Sequence, residues 1–500
     1  MTDADVLVIG GGLIGAVLLQ RLREQERGAR ILVVDAGPAI GPVPGEHLHG
    51  VRDPELHRVY NARVGLGNQA LYVGAASSPP LPQGVTRAAG GIYELTAFGE
   101  EAASFPGGAV AWNAGGMGVH WTAATPTPTG AEIPSFLPRA EWDSDVETAR
   151  RLLLVDDDPY GPDPLRTAVT AALDIEFPVT ADTDRPVQPM PMAVTATASG
   201  VLLRSGPSRV FPASVDGSDP LVERRAETLC VRLLHEAGRV TGAVLRHVPS
   251  GDETLVTADR VVVACDAVRT PQLLWASGIR PAALGGNLNE HAFLTGRLRV
   301  DLDRLGLSVD DLTPRREGEW CIGSYWIPRS GDHQPYQGQI MAAPIFDEAT
   351  GVVEGCTVSL SWYVPLAGSP ANRIDFSDDA TDAAGLPRAT VHFERTPADR
   401  AAIARGRAAQ ARAGRALGDY DPVAHSVLLE PGASLHYTGT TRIGPAGDDT
   451  SVCDEDARVR SFDNLWLAGN GVVPTALTAN STLTAAALAV RTARAVARAR

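Results

Sequence analysis

The chain contains no lysine; all 44 of its basic residues are arginine, against 59 acidic ones. Without a side-chain amine there is no Schiff-base chemistry and no phosphate-loop lysine. The net charge of −15 argues against a nucleic-acid partner, because such binding rests on clustered positive charge. Cysteine is scarce too. The five (Cys230, Cys265, Cys321, Cys356, Cys453) are scattered with no Cys-x-x-Cys. That argues against metal spacing and a disulfide framework, and for free thiols in a reducing compartment. No apolar run approaches the roughly 20 residues that span a bilayer. The first strand begins near Asp5, which leaves no room for a secretory leader. These absences lead us to expect a soluble, cytoplasmic protein with no metal, membrane or nucleic acid as partner.

What is present starts at residues 6–15, Val-Leu-Val-Ile-Gly-Gly-Gly-Leu-Ile-Gly. This reads as a strand running into a glycine loop and then a helix over 13–27, with a second strand at Ala29–Asp35. The spacing Gly10-x-Gly12-x-x-Gly15 suits a tight turn, close approach of backbone to a pyrophosphate, and close helix–strand packing. Asp35 lies twenty residues after Gly15, placed to accept a ribose hydroxyl and to repel a 2′-phosphate. A ligand-free glycine turn is the bland alternative; the strand before and the helix after favour a dinucleotide.

Further along, residues 36–104 and the glycine-dense stretch Phe105–Pro126 are expected to be mostly loop. Helices are expected at Glu141–Leu154, Asp163–Leu173, Arg269–Ser277, Pro397–Leu417 and Leu483–Arg500. Alternating or apolar runs place strands at Glu227–Leu234, Val240–His247, Thr254–Val256, Arg260–Ala264, Gly296–Val300, Gly338–Met341, Cys356–Tyr363, Ala389–Phe393 and Asn464–Ala468. The fold class is therefore α/β: a discontinuous Rossmann-like nucleotide domain (1–130, 201–290, 456–500) with an inserted, mainly antiparallel substrate domain (131–200, 291–455). A return to strand, Gly469-Asn-Gly471 loop and helix at the C-terminus suits FAD better than NAD. A second helix N-terminus there would stabilise negative charge on a reduced flavin. A purely structural strand–helix end is the alternative.

Several blocks carry a family likeness. They are Gly115-Gly-Met-Gly-Val-His-Trp-Thr-Ala-Ala-Thr-Pro126, Val261-Val-Val-Ala-Cys-Asp-Ala-Val-Arg-Thr-Pro-Gln-Leu-Leu274, Asn372-Arg-Ile-Asp-Phe-Ser-Asp378, Leu435-His-Tyr-Thr-Gly-Thr440 and Asn464–Thr484. Over about half the chain the sequence resembles the glucose–methanol–choline (GMC) oxidoreductase family, most closely its pyranose oxidase branch, which includes bacterial C-glycoside 3-oxidases. The resemblance implies that His436 is the catalytic base and that Asn480 hydrogen-bonds the substrate hydroxyl. It implies FAD contacts at Gly10, Gly12, Gly15, Asp35, Gly116, Met117, His120, Trp121, Thr122, Cys230, Asn470 and Thr482. His120 matches a position that can tether the flavin covalently. Gly118-Val119 replaces the more polar pair usual before it, so tethering and simple packing both stand. Ser481 departs from the proline usual after the Asn.

The chemistry of the residues agrees. Oxidising a secondary alcohol needs a base, a hydride acceptor and a donor to the developing alkoxide. Neutral imidazole, with an ordinary pKa of about 6.5, suits the base, and an uncharged amide suits the donor. The expected reaction converts a pyranose ring hydroxyl to a ketone, with C3 of a C-glycoside favoured. The segment Gln337–Trp362 keeps Gln339, expected to contact substrate, but lacks the charged residues of free-glucose enzymes. Dioxygen or a quinone would reoxidise the flavin. A pyranose 2-oxidase, a quinone-linked dehydrogenase, a non-redox lyase and a non-catalytic FAD-binding protein are the alternatives. Trp112, Trp121, Trp326 and Trp362 read equally as sugar platforms or core, and His291 as lining the same region. Cys265 and Asp156-Asp-Asp158 read as packing and a solvated turn.

Overall fold

Five short strands form a parallel sheet in the order Leu465–Leu467, Ala258–Val263, Ala4–Ile9, Ile31–Val34, Val222–Arg225. They come from three distant stretches of chain. The two neighbours at one edge, 258–263 and 465–467, are joined only after some 200 residues have been built elsewhere. Strands buried on both faces must be apolar throughout, and the sequences Val-Leu-Val-Ile and Ile-Leu-Val-Val meet that demand with every residue buried or nearly so. Helices Leu13–Gln25 and Ser481–Arg498 pack against one another, and Arg139–Leu153 packs on the latter. The computed structural model describes residues 3–56, 81, 84–181, 183–316, 319–347 and 349–499; the rest of the loop expected over 36–104 lies outside them.

A meander of Thr228–Glu236, Arg239–His247 and Glu253–Val256 lies beside this sheet. Apart from it stands a six-stranded antiparallel sheet in the order Ser426–Leu428, His291–Arg299, Val353–Pro365, Gln337–Phe346, Gly323–Ile327, Gln188–Pro189. Its side chains alternate cleanly, as the period of two requires. Leu294, Leu360, Trp362, Ile340 and Tyr325 point to one face and belong to a core shared with helix Pro397–Leu417. Their neighbours His291, Phe293, Tyr363, Gln337, Gln339 and Trp326 share the opposite face, as the register pairs Phe293 with Tyr363, Tyr363 with Gln337, and Gln339 with Trp326. Trp362 is thus core, fully buried.

Some elements differ from expectation. The stretch Phe105–Pro126 is not all loop: Ala109–Trp112 pairs with Gly91–Glu94, and Gly116–Val119 forms a 3-10 turn. The strand Gly323–Ile327 was not anticipated, because its Gly-Ser-Tyr-Trp-Ile lacks alternation. Burial on both sides gives such a strand no polar face. Among the described residues no helix is long and apolar enough to cross a membrane, and no group of three metal-ligating side chains converges. All five cysteines are unpaired.

Candidate active site

Gly10, Asp35, Ala264 and Ala468 each follow the carboxyl end of a parallel strand. There, beyond the strand ends where open α/β sheets bind ligands, lies a cavity of about 320 Å³. The glycines divide by physical role. Gly10 holds a φ of +104°, and a Cβ on it would meet the Ala264 carbonyl oxygen at 2.5 Å. A Cβ on Gly15 would collide with the Gly10 carbonyl oxygen. Gly12 is different: a Cβ there would find nothing nearer than 3.7 Å. Protein packing does not require glycine at 12; a ligand pressed against the backbone would.

The helix Leu13–Gln25 opens at Gly12 with neither a side-chain cap nor an acidic residue in its first turn. Its positive dipole end therefore faces the cavity uncompensated, as phosphate binding needs. The helix Ser481–Arg498 starts beside the same cavity, also without a side-chain cap or an acidic residue in its first turn. Trp112, on the cavity wall, keeps a buried indole N–H with no partner. The Asp35 carboxylate accepts the Gly11 N–H at 2.8 Å and the Arg224 guanidinium at 2.5 Å. These residues fit an adenine dinucleotide carrying a further polar ring.

Of the expected site residues, all but Gly15 and Gln339 line this cavity. Gly15 acts one step back, by close packing. Gln339 is not among the residues that line the cavity; its amide donates to Asn480 Oδ1, so it reaches the cavity wall through that residue. The Cys230 thiol is pushed up to about 12 by burial and so stays protonated.

His436 and Asn480 share the cavity wall with Tyr363. Leu435, directly before His436, holds a left-handed φ of +57°, a strained state that persists only where the surroundings impose it. Here they do. Glu290 accepts the Gly432 N–H at 2.8 Å and the Ser434 hydroxyl at 2.7 Å, and Ser434 Oγ accepts the His436 N–H. Tyr437 ties the same segment to Ala109, which also lines the cavity. Glu132 holds the other loop, accepting the N–H groups of Thr478 and Ala479 at 2.6 and 2.8 Å.

The tautomer of His436 follows from its partners. His291 Nδ1 lies 3.3 Å from the Leu477 carbonyl, which can only accept, so that nitrogen carries the proton. His291 Nε2 then has the lone pair and accepts from His436 Nδ1 at 2.9 Å. His436 Nε2 is left with its lone pair for the cavity. Burial pushes the His436 imidazole down to about 4 and that of His291 well below its ordinary value, so both rings are neutral near pH 7. His120 is fixed by the same logic. Asn113 donates its amide N–H to the carbonyls of Ala114 and Gly116, so its Oδ1 accepts from His120 Nε2 at 2.8 Å. Burial pushes His120 down to about 3.

Sequence reasoning missed Asn113, Glu132, Arg224, Glu290 and Gln337, and left His291 without a role. The motif blocks contain Asn113's neighbours and Asn289-Glu-His-Ala stands out as polar, but nothing local marks the other three.

A parallel sheet whose strand ends carry two open helix N-termini, with a neutral His and an Asn amide on the same wall, defines a dinucleotide-dependent oxidoreductase. Residues 169–293 and 369–489 match the models of the GMC oxidoreductase family, and the chain belongs to that family, whose members are flavoproteins that bind FAD. It is 36% identical to a C-glycoside 3-oxidase of Microbacterium trichothecenolyticum, over 99% of this chain and 96% of that one. A C-glycoside 3-oxidase of Arthrobacter globiformis is also 36% identical, over 99% and 95%. A pyranose 2-oxidase of Tricholoma matsutake is 29% identical over 98% and 93%. The fold is shared with the crystal structure of a pyridoxine 4-oxidase from Mesorbium loti, with a TM-score of 0.64 at 16% identity over 99% of both chains.

Proposed function

We propose that the chain oxidises a secondary hydroxyl of a pyranose ring to a ketone, at C3 of a C-glycoside, with dioxygen taking the electrons and leaving as hydrogen peroxide. The carrying observation is the opposed polarity of two neutral groups on one wall, a lone pair at His436 Nε2 and an amide donor at Asn480. The C-glycoside 3-oxidase relatives, matched over nearly the whole chain, support the substrate class. Bound FAD supplies the hydride acceptor. His436 Nε2 takes the hydroxyl proton, and its neutrality keeps it competent well below pH 7. Asn480 Nδ2 donates to the same oxygen as it gains negative charge, an interaction stronger in the transition state than before it. Gly10, Gly12 and the two helix N-termini hold the dinucleotide, and Asp35 offers its remaining lone pairs to the ribose.

We further propose that His120 Nε2 is not the atom of a covalent link to the flavin: a ring nitrogen needs its lone pair to form that bond, and Asn113 Oδ1 keeps the proton on Nε2. In the neutral ring the lone pair lies on Nδ1, so a tether would have to run through that atom. Acid precipitation separates the two cases, since colour in the supernatant means FAD held without a covalent bond; flavin mapped to His120 Nε2 in the pelleted peptide refutes the proposal.

The test of the reaction is anaerobic mixing of the holoenzyme with C-glycosides, O-glycosides and free sugars while following flavin absorbance. A C-glycoside should bleach the flavin and yield a 3-keto product, and air should restore the colour with one peroxide per turnover. A 2-keto sugar would indicate the pyranose 2-oxidase reaction, and reoxidation by quinone alone a dehydrogenase. Bound FAD that no alcohol bleaches would leave the non-redox lyase.

A further inference from the structure

Asn480 occupies the N-cap of helix Ser481–Arg498, where an asparagine ordinarily accepts a backbone N–H of the first turn. Here it makes no such bond. Its Oδ1 accepts instead from Gln337 Nε2 at 3.3 Å and from Gln339 Nε2. A carboxamide turned through 180° keeps its shape and exchanges its donor and acceptor. Only its partners decide whether oxygen or N–H faces the cavity.

Gln339 by itself cannot decide, because two amides can turn together and remain bonded. Gln337 cannot turn. Its Oε1 accepts from Trp326 Nε1 at 2.9 Å, and an indole nitrogen only donates. With Oε1 committed, Gln337 has only Nε2 to offer, Asn480 must present Oδ1, and Asn480 Nδ2 is left for the cavity. Trp326 and Gln337 are 2% and 1% exposed, so water does not compete for these bonds. Trp326 is itself seated by the Arg185 guanidinium, 4.6 Å from its ring centre, and stands opposite Gln339 in the strand ladder.

We propose that Trp326 and Gln337 are positioning residues that hold Asn480 with its N–H toward the reacting oxygen of the substrate. This rests on the oxidation reading above, in which that oxygen needs a donor.

The hydrogen-bond chain is read first without substrate. In holoenzyme labelled with ¹⁵N-tryptophan, Trp326→Phe identifies the Trp326 indole resonance by deleting it. Gln337→Met should then move that resonance upfield and speed its exchange with solvent; an unmoved resonance overturns the chain. The second reading is anaerobic flavin reduction by the substrate. Trp326→Phe keeps an aromatic ring and loses the N–H. It should slow reduction at saturating substrate about tenfold, roughly what one net hydrogen bond contributes, with KM and FAD content little changed. In an Asn480→Ala background the same substitution should add nothing, because its route of action is gone. An undiminished effect there would show a general structural role and overturn the proposal. Gln337→Glu, similar in shape but without a donor, should slow reduction more than Gln337→Met, since its carboxylate draws Asn480 Nδ2 away from the cavity; the reverse order also counts against it. If no sugar reduces the wild-type flavin, the oxidation reading fails, while the indole spectrum still decides the orientation of the amide.

Discussion

The dinucleotide end of the cavity and its reactive end are built on different principles. At the first, backbone does the shaping: a glycine turn, the N-terminus of helix Leu13–Gln25 and the ends of parallel strands. Substituents there are excluded by contacts of 2.5 Å or less, as at Gly10 and Gly15. At the second, side chains do the shaping. His436 and Asn480 take their orientation from His291, Gln337 and Trp326, all on one face of the antiparallel sheet. The comparison teaches that binding FAD and aiming a proton acceptor are separable. A change at the sheet face should spoil chemistry and spare the cofactor, and a change at the glycine turn should do the reverse.

The sharpest break in that separation would come from His436→Ala. Removing a general base typically costs about 10²–10⁴ in rate. The variant should keep its FAD and be reduced slower by that factor in stopped-flow mixing; wild-type rates would remove His436 from the base role. Next in size are two glycine substitutions. Gly15→Ala drives a methyl into the Gly10 carbonyl and should cost about 1–3 kcal/mol of stability, visible in denaturant melts of the FAD-free protein. Gly12→Ala should leave those melts nearly unchanged and lower FAD retention. Equal FAD content in Gly12→Ala and wild type would show that the backbone does not press on the ligand.

A smaller effect is expected for His291→Phe, which keeps a buried ring but leaves His436 Nδ1 without its acceptor. Reduction should slow about tenfold, in line with one hydrogen bond, with FAD retained. Loss of FAD instead would show that the sheet face supports both ends of the cavity.

The smallest effect concerns acid. Four histidines, at 47, 120, 291 and 436, are held below their ordinary pKa by burial. The unfolded chain takes up protons there below about pH 6.5 that the folded chain refuses, down to about pH 4 for His436 and about pH 3 for His120, so each costs stability as pH falls below about 6.5. Glu100 and Glu290, both pushed up to about 7 by burial, work the other way, since the folded chain holds their protons between about pH 7 and 4.5. Four against two leaves a net loss. Thermal midpoints should fall from about pH 6 to pH 4, and His120→Asn should flatten the slope; a midpoint that rises toward pH 5 would contradict these pKa directions.

How much could be read in advance follows the same division. The glycine spacing, the apolar strands and the helix Pro397–Leu417 are local patterns, and the structure matches them to within a few residues. His436 and Asn480 were legible because each sits in a short motif, Leu435-His-Tyr-Thr-Gly-Thr440 and Thr478-Ala-Asn480-Ser. What each of them touches was not. Gln339 was assigned to substrate from its segment alone, and it bonds Asn480, 141 positions away.

Sequence alone thus determined the class of cofactor and picked out the His and the Asn that line the cavity, because a helix N-terminus, a glycine turn and the chemistry of imidazole and amide are properties of a few neighbouring residues. Tertiary structure alone decided which nitrogen of His436 bears the lone pair and which side of the Asn480 amide faces the cavity. Those are matters of hydrogen-bond direction, set by obligate donors and acceptors. The Leu477 carbonyl, Trp326 indole, Glu132 and Glu290 reach the site only when stretches 142 to 346 positions apart fold together. A chain of polarity has no local signature, since every link in it can face either way until the fold supplies the group that cannot.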